Sequence, residues 1–174
     1  MSLLITVILL VFVVIIFTVC AGNIKRKGKY GNVHEKQLSS VQAALFYRRS
    51  VMNASENTLY NFLLHMVNKY DYPVRVFPQV SLGEILKTEN KSAFFSINSK
   101  RVDFVIADKN NMPCAVVEYQ GSGHWQNNAR KRDAIKKLAC EKAGIKYFDL
   151  PATYTGNELK PLIDFLDFIK ADIS

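Results

Sequence analysis

A chain of 174 residues with a formal net charge of +8 and three cysteines has room for one small globular domain. Cys20, Cys114 and Cys140 lie far apart, which excludes a disulfide framework and a close-spaced zinc site. Lys25, Arg26, Lys27 and Lys29 account for half of the positive excess, so the remainder permits a nucleic-acid partner without demanding one.

Residues 3–21 form an uncharged, mostly apolar run, roughly 28 Å long as a helix. Basic residues follow it and none precedes it. A single-pass transmembrane helix is therefore expected, with its amino terminus outside, the rest cytoplasmic, and the lipid bilayer of the inner cell membrane as a partner. A cleaved signal peptide would carry its charge before the apolar run, and bulky Val19 ahead of Cys20 disfavours a lipoprotein site. Residues 22–52 read as a basic juxtamembrane linker with a short helix around 41–49, and residues 53–174 as the domain.

Within the domain, Ser55 is the expected N-cap of a helix to about Tyr70, with Leu59, Phe62, Leu63, Met66 and Val67 on one stripe. Residues 74–80 alternate like a strand, which Pro78 confines to an edge, a bulge or a strand end. An irregular insertion carries Phe94, Phe95 and Ile97. Strands at 102–108 and 115–120 flank the turn Lys109–Pro113 and form a hairpin. A helix over 126–143 stops at Gly144, a strand covers 145–150, and an amphipathic helix spans 158–170. The expected fold class is α/β: helix, three strands, helix, strand, helix, with the last two strands parallel.

Two acids stand where these strands should be dry. Asp103 opens an apolar run and Glu118 nearly closes another, and an unpaired carboxylate there costs several kcal/mol of desolvation. If the strands pair, the two converge at one end of the sheet, where Mg²⁺ or Mn²⁺ would be held by carboxylates, a carbonyl and water. A structural ion pair with Arg or Lys, or a solvated strand start, is the competing reading. Glu56 shares the stripe of Leu59 and Leu63, which makes it a third candidate acid or an ordinary first-turn acid. On the helix over 126–143, Arg132 and Lys136 share a face suited to phosphate, and Asp133 with Lys137 reads as an intrahelical ion pair.

Asp103, the hairpin and Glu118-Tyr119-Gln120, followed by helix and strand, resemble the PD-(D/E)XK nuclease core of restriction-endonuclease-like proteins. Ser55-Glu56, Phe77-Pro78-Gln79-Val80, Gly121-Ser-Gly-His124, Arg132-Asp133 and Ala143-Gly144-Ile145 are similar to a bacterial branch of that superfamily, catalogued as a domain of unknown function. The resemblance implies a restriction endonuclease-like core and an Mg²⁺-dependent nuclease acting on DNA rather than RNA. Asp103 and Glu118 would be the metal ligands, with Glu56 and Gln120 in the catalytic set. Gln79, His124, Arg132 and Lys136 would contact nucleic acid. Gln120 stands where the motif has lysine; glutamine orients water but supplies neither charge nor a proton. A catalytically inactive binding module on the same fold is the alternative. Trp125, beside His124, is expected to pack against the domain.

Overall fold

The computed structural model describes the backbone of residues 2–121 and 127–173, and the side chains of residues 7–19, 32–121 and 129–172. The chain divides into two compact units, Met1–Arg49 and Ser50–Ser174.

The first unit is built on one helix, α1 (Ser2–Ala43). Among the described residues no helix is long and apolar enough to cross a membrane. The expected transmembrane helix over 3–21, its bilayer partner and the single-pass placement in the inner membrane are therefore corrected. Over the expected linker, α1 continues through residues 22–43 and takes in the first three residues of the short helix expected at 41–49.

The second unit begins with α2 (Ala54–Lys69). Its N-cap is Asn53 rather than Ser55: the Asn53 side chain accepts the Glu56 N–H and the Glu56 carboxylate accepts the Asn53 N–H, both at 2.9 Å. This reciprocal pair satisfies two otherwise orphaned donors. Strands β1 (Val74–Ser81), β2 (Arg101–Asp108) and β3 (Pro113–Gln120) form an antiparallel meander, and β4 (Lys146–Pro151) adds parallel to β3. The strand order β1-β2-β3-β4 leaves β1 at an edge, where Pro78 removes no central ladder bond. The insertion between β1 and β2 folds as two short helices, α3 (Leu82–Ile85) and α4 (Lys91–Ile97). Helix α5 (Asn127–Lys142) links β3 to β4, and Gly144 follows it at φ +77°, the left-handed turn that ends a helix. Helix α6 (Gly156–Ile173) closes the unit.

Each face of this mixed sheet has its own core. Leu59 and Leu63 of α2 and Leu162 and Leu166 of α6 pack with Phe104, Ile106, Val117 and Leu150 on one side. Cys140 of α5 packs with Leu82, Ile97, Val105, Val116 and Ile145 on the other. Phe104 is fully buried and its ring stacks on Tyr60, with centroids 6.0 Å apart and planes 11° from parallel. Phe104→Ala is expected to cost about 3–5 kcal/mol, read as a lowered urea midpoint with unchanged slope.

Candidate metal and nucleic-acid site

Strand register brings four polar residues to one level across the sheet. Pro78 pairs with Phe104 and Val80 with Val102, which sets Gln79 opposite Asp103. Phe104 pairs with Val117, so one step further along the hairpin Asp103 stands level with Glu118. Glu118 in turn pairs with Asp149 of β4. At this level the Asp103 carboxylate accepts the Tyr119 N–H at 2.8 Å, a side chain taking up a backbone donor of the facing strand. Asp103 and Glu118 are thus locked at the same end of the hairpin.

Glu118 shares its face with Val116 beneath α5 and is only 3% exposed. Its Oε1 lies 2.8 Å from Lys136 Nζ, and that ammonium, 8% exposed at its residue, also lies 3.1 Å from Asp133. At 2.8 Å the ammonium meets Oε1 as a hydrogen-bonded ion pair. Burial pushes the Glu118 carboxyl up to about 7; the charge of Lys136 opposes the rise, while those of Asp103 and Asp133 add to it. Burial pulls the Lys136 ammonium down, but Glu118 and Asp133 outweigh it and the net shift is upward. The surroundings are dry: burial, with the Glu118 charge second, pushes the Cys140 thiol up to about 11 and the Tyr147 phenol upward.

The raised Glu118 value sets a pH dependence with a definite sign. Below about 4.5 the carboxyl is protonated in both folded and unfolded chains, and its burial carries no ionisation cost. Between there and about 7 only the unfolded chain ionises, so stability falls as pH rises; above about 7 the full loss is present. Glu118→Gln is expected to flatten the stability curve across this window, by at most about 3 kcal/mol, in urea titrations run in EDTA.

The other candidates are distributed around this pair. Gln120 donates from Nε2 to Asp149 Oδ1 at 3.1 Å, and Lys137 reaches the other Asp149 oxygen at 3.4 Å. The intrahelical pair expected between Asp133 and Lys137 is replaced: Asp133 meets Lys136, and Lys137 crosses to β4. Gln79 holds φ +57°, unusual for a non-glycine residue, and its Nε2 lies 3.4 Å from the Glu56 carboxylate. Glu56 is thus engaged with its cap and with Gln79, and no group of three or more His, Cys, Asp or Glu gathers at metal-binding distance among the described residues. Arg132 is exposed and Lys136 is buried, and both line one cleft beside the acids. His124 and Trp125 lie outside the described residues.

The donor set nonetheless fits Mg²⁺ or Mn²⁺. Mg²⁺ keeps several waters and needs only one or two carboxylates from the protein. Asp103 and Glu118 supply two at one level on adjacent strands.

A family model described as "Protein of unknown function (DUF2726)" matches residues 48–166, which hold all four strands and both acids. The chain belongs to this family. Helix α1 lies outside the family match. Over 123 residues the chain is 46% identical to an uncharacterised protein of Haemophilus influenzae, covering 71% of this chain and 65% of that protein. Over 122 residues it is 38% identical to the uncharacterised protein y4bI of Sinorhizobium fredii, covering 70% of this chain and 88% of the relative. The chain thus spans just under two thirds of the Haemophilus protein's length. No solved structure matches.

Sequence reasoning placed Lys136 on a solvated phosphate face and missed its partnership with Glu118. The signal was present in the spacing: Ala129, Asp133, Lys136 and Cys140 follow a helical stripe that ends in buried apolar residues. Exposed Ile135 and Leu138 obscured it by making the outer face look like the inner one.

Proposed function

We propose that this domain hydrolyses phosphodiester bonds in DNA, using Mg²⁺ or Mn²⁺ held by Asp103 and Glu118, as its resemblance to the PD-(D/E)XK superfamily implies. The observation that carries the reading is the level placement of Asp103 and Glu118 with the Lys136 ammonium 2.8 Å from Glu118. When bound, the cation would polarise the phosphodiester and lower the pKa of the attacking water.

The remaining work falls to this chain's own side chains. Lys136 supplies from α5 the positive charge that Gln120 does not supply from β3. Its proton is held more tightly than usual, so it serves as a charge and donor toward a phosphoryl oxygen and not as a general base. Gln120, tethered to Asp149, orients water by hydrogen bonding alone. The Glu56–Gln79 contact braces β1 beside Asp103 and positions without touching the reacting atoms.

The second reading is a non-catalytic nucleic-acid-binding module. It is favoured by the Glu118–Lys136–Asp133 network, which compensates the buried acid with an ammonium and without a metal ion. Incubation of the full chain with single-stranded, double-stranded and branched DNA in Mg²⁺ or Mn²⁺ separates the two. Hydrolysis that disappears in EDTA and in Asp103→Asn supports the enzyme. DNA binding without cleavage under every condition supports the module.

A further inference from the structure

Beside the acids, a cleft of about 380 Å³ is lined by Ser99, Lys100, Arg101, Arg132, Asp133 and Lys136. Its inner end is compensated, because Lys136 lies between Glu118 and Asp133. Its outer end differs. Lys100 and Arg101 enter from the start of β2 and Arg132 from α5, and no ion pair engages any of these three among the described residues. Cations gathered around one cleft repel one another unless an anion joins them, and low-dielectric walls strengthen that preference.

The wall is also rigidly built. The Lys100 N–H donates to Ile97 O at 2.8 Å, and the Lys100 carbonyl accepts the Leu82 N–H at 2.8 Å. The turn before it sits so close to α3 that a Cβ on Gly83 would lie 2.9 Å from the Asn98 Cα. A neighbouring hollow of about 500 Å³, lined by Gly83–Thr88 and Phe94, offers only Glu84 and Lys87 as charges and none of the strand acids.

We propose that the cleft seats a backbone phosphate of a nucleic-acid strand, one removed from the phosphate addressed by Asp103 and Glu118. The contacts are Lys100, Arg101 and Arg132, and Lys136 joins the two positions. This rests on the nucleic-acid reading above but not on catalysis. A guanidinium on each wall suits a phosphate approached from two sides, and Ser99 adds a hydroxyl donor at the rim.

The test is binding of a fluorescein-labelled single-stranded oligonucleotide to the full chain in EDTA across a salt series. Arg101→Ala with Arg132→Ala is expected to weaken binding by about tenfold or more at low salt. It should also reduce the slope of log K against log salt by about 0.7 or more, the release expected for one single-strand phosphate. Lys109→Ala with Lys160→Ala, an equal charge change at the hairpin turn and on α6, is expected to change affinity less than about threefold. Arg101→Lys with Arg132→Lys recovers the slope, which guards against a folding defect. Binding is read in EDTA, where no metal-dependent hydrolysis occurs, so failure of this proposal and failure of the nuclease reading are separate results. The proposal is overturned if the two alanine pairs weaken binding equally, if the slope is unchanged in the cleft pair, or if inorganic phosphate at matched phosphate concentration displaces the strand.

Discussion

Lys136→Met is expected to destabilise the fold by about 3–5 kcal/mol and to abolish hydrolysis. The stability loss follows from burial: Glu118 is 3% exposed and has Lys136 as its close cation, so removing the ammonium strands a carboxylate in a dry layer. For a chain of this size that is a fall of roughly 10 °C in Tm. Adding Glu118→Gln removes the stranded charge, and the double variant should recover to within about 1 kcal/mol of the unaltered chain while staying inactive. Mg²⁺ supplies a further discrimination. A cation that binds between Asp103 and Glu118 compensates the stranded acid, so Mg²⁺ should raise the Tm of Lys136→Met more than that of the unaltered chain. Equal Tm responses would leave Lys136–Glu118 as a structural ion pair.

Asp103→Asn is the second large effect, and it acts on chemistry with little cost to the fold. Asparagine keeps a side-chain oxygen in the same place, so the Tyr119 N–H retains its acceptor and the hairpin end stays paired. The negative charge is lost, and with it one of the two carboxylates the site presents. Mg²⁺-dependent cleavage should fall by about a thousandfold or more, a loss of roughly 4 kcal/mol in transition-state stabilisation. The urea midpoint should move by less than about 1 kcal/mol equivalent. Because one like charge beside it disappears, Glu118 should titrate lower in this variant, visible as a shallower fall of stability with rising pH. A variant that cleaves normally would remove Asp103 from the chemistry.

The strands and both acids were legible in the sequence because β2 and β3 are Val- and Ile-rich runs in which a carboxylate stands out. Pairing then follows from a short turn. Asn111 at φ +63° and the Asp108 carboxylate, which accepts the Asn110 and Met112 N–H groups at 2.8 Å, set that turn. What could not be read is longer in range. Only the stripe of Ala129, Asp133, Lys136 and Cys140 separates Lys136 from Lys137 on a helix crowded with cations, yet about 100° of helical rotation sends one to buried Glu118 and the other to Asp149. The cap of α2 moved from Ser55 to Asn53 because Asn53 and Glu56 complete a reciprocal pair three residues apart. Hydropathy alone suggested a membrane span, whereas α1 continues past the apolar run into a charged segment and supplies no span among the described residues.

Electron paramagnetic resonance of Mn²⁺ titrated into the full chain measures the shared ion position without requiring substrate. One bound Mn²⁺ per chain is predicted near neutral pH, weakened at least about tenfold in Asp103→Asn and again in Glu118→Gln. Mn²⁺ bound equally well by the unaltered chain and both variants, or by none of the three, would contradict a cation held between these carboxylates.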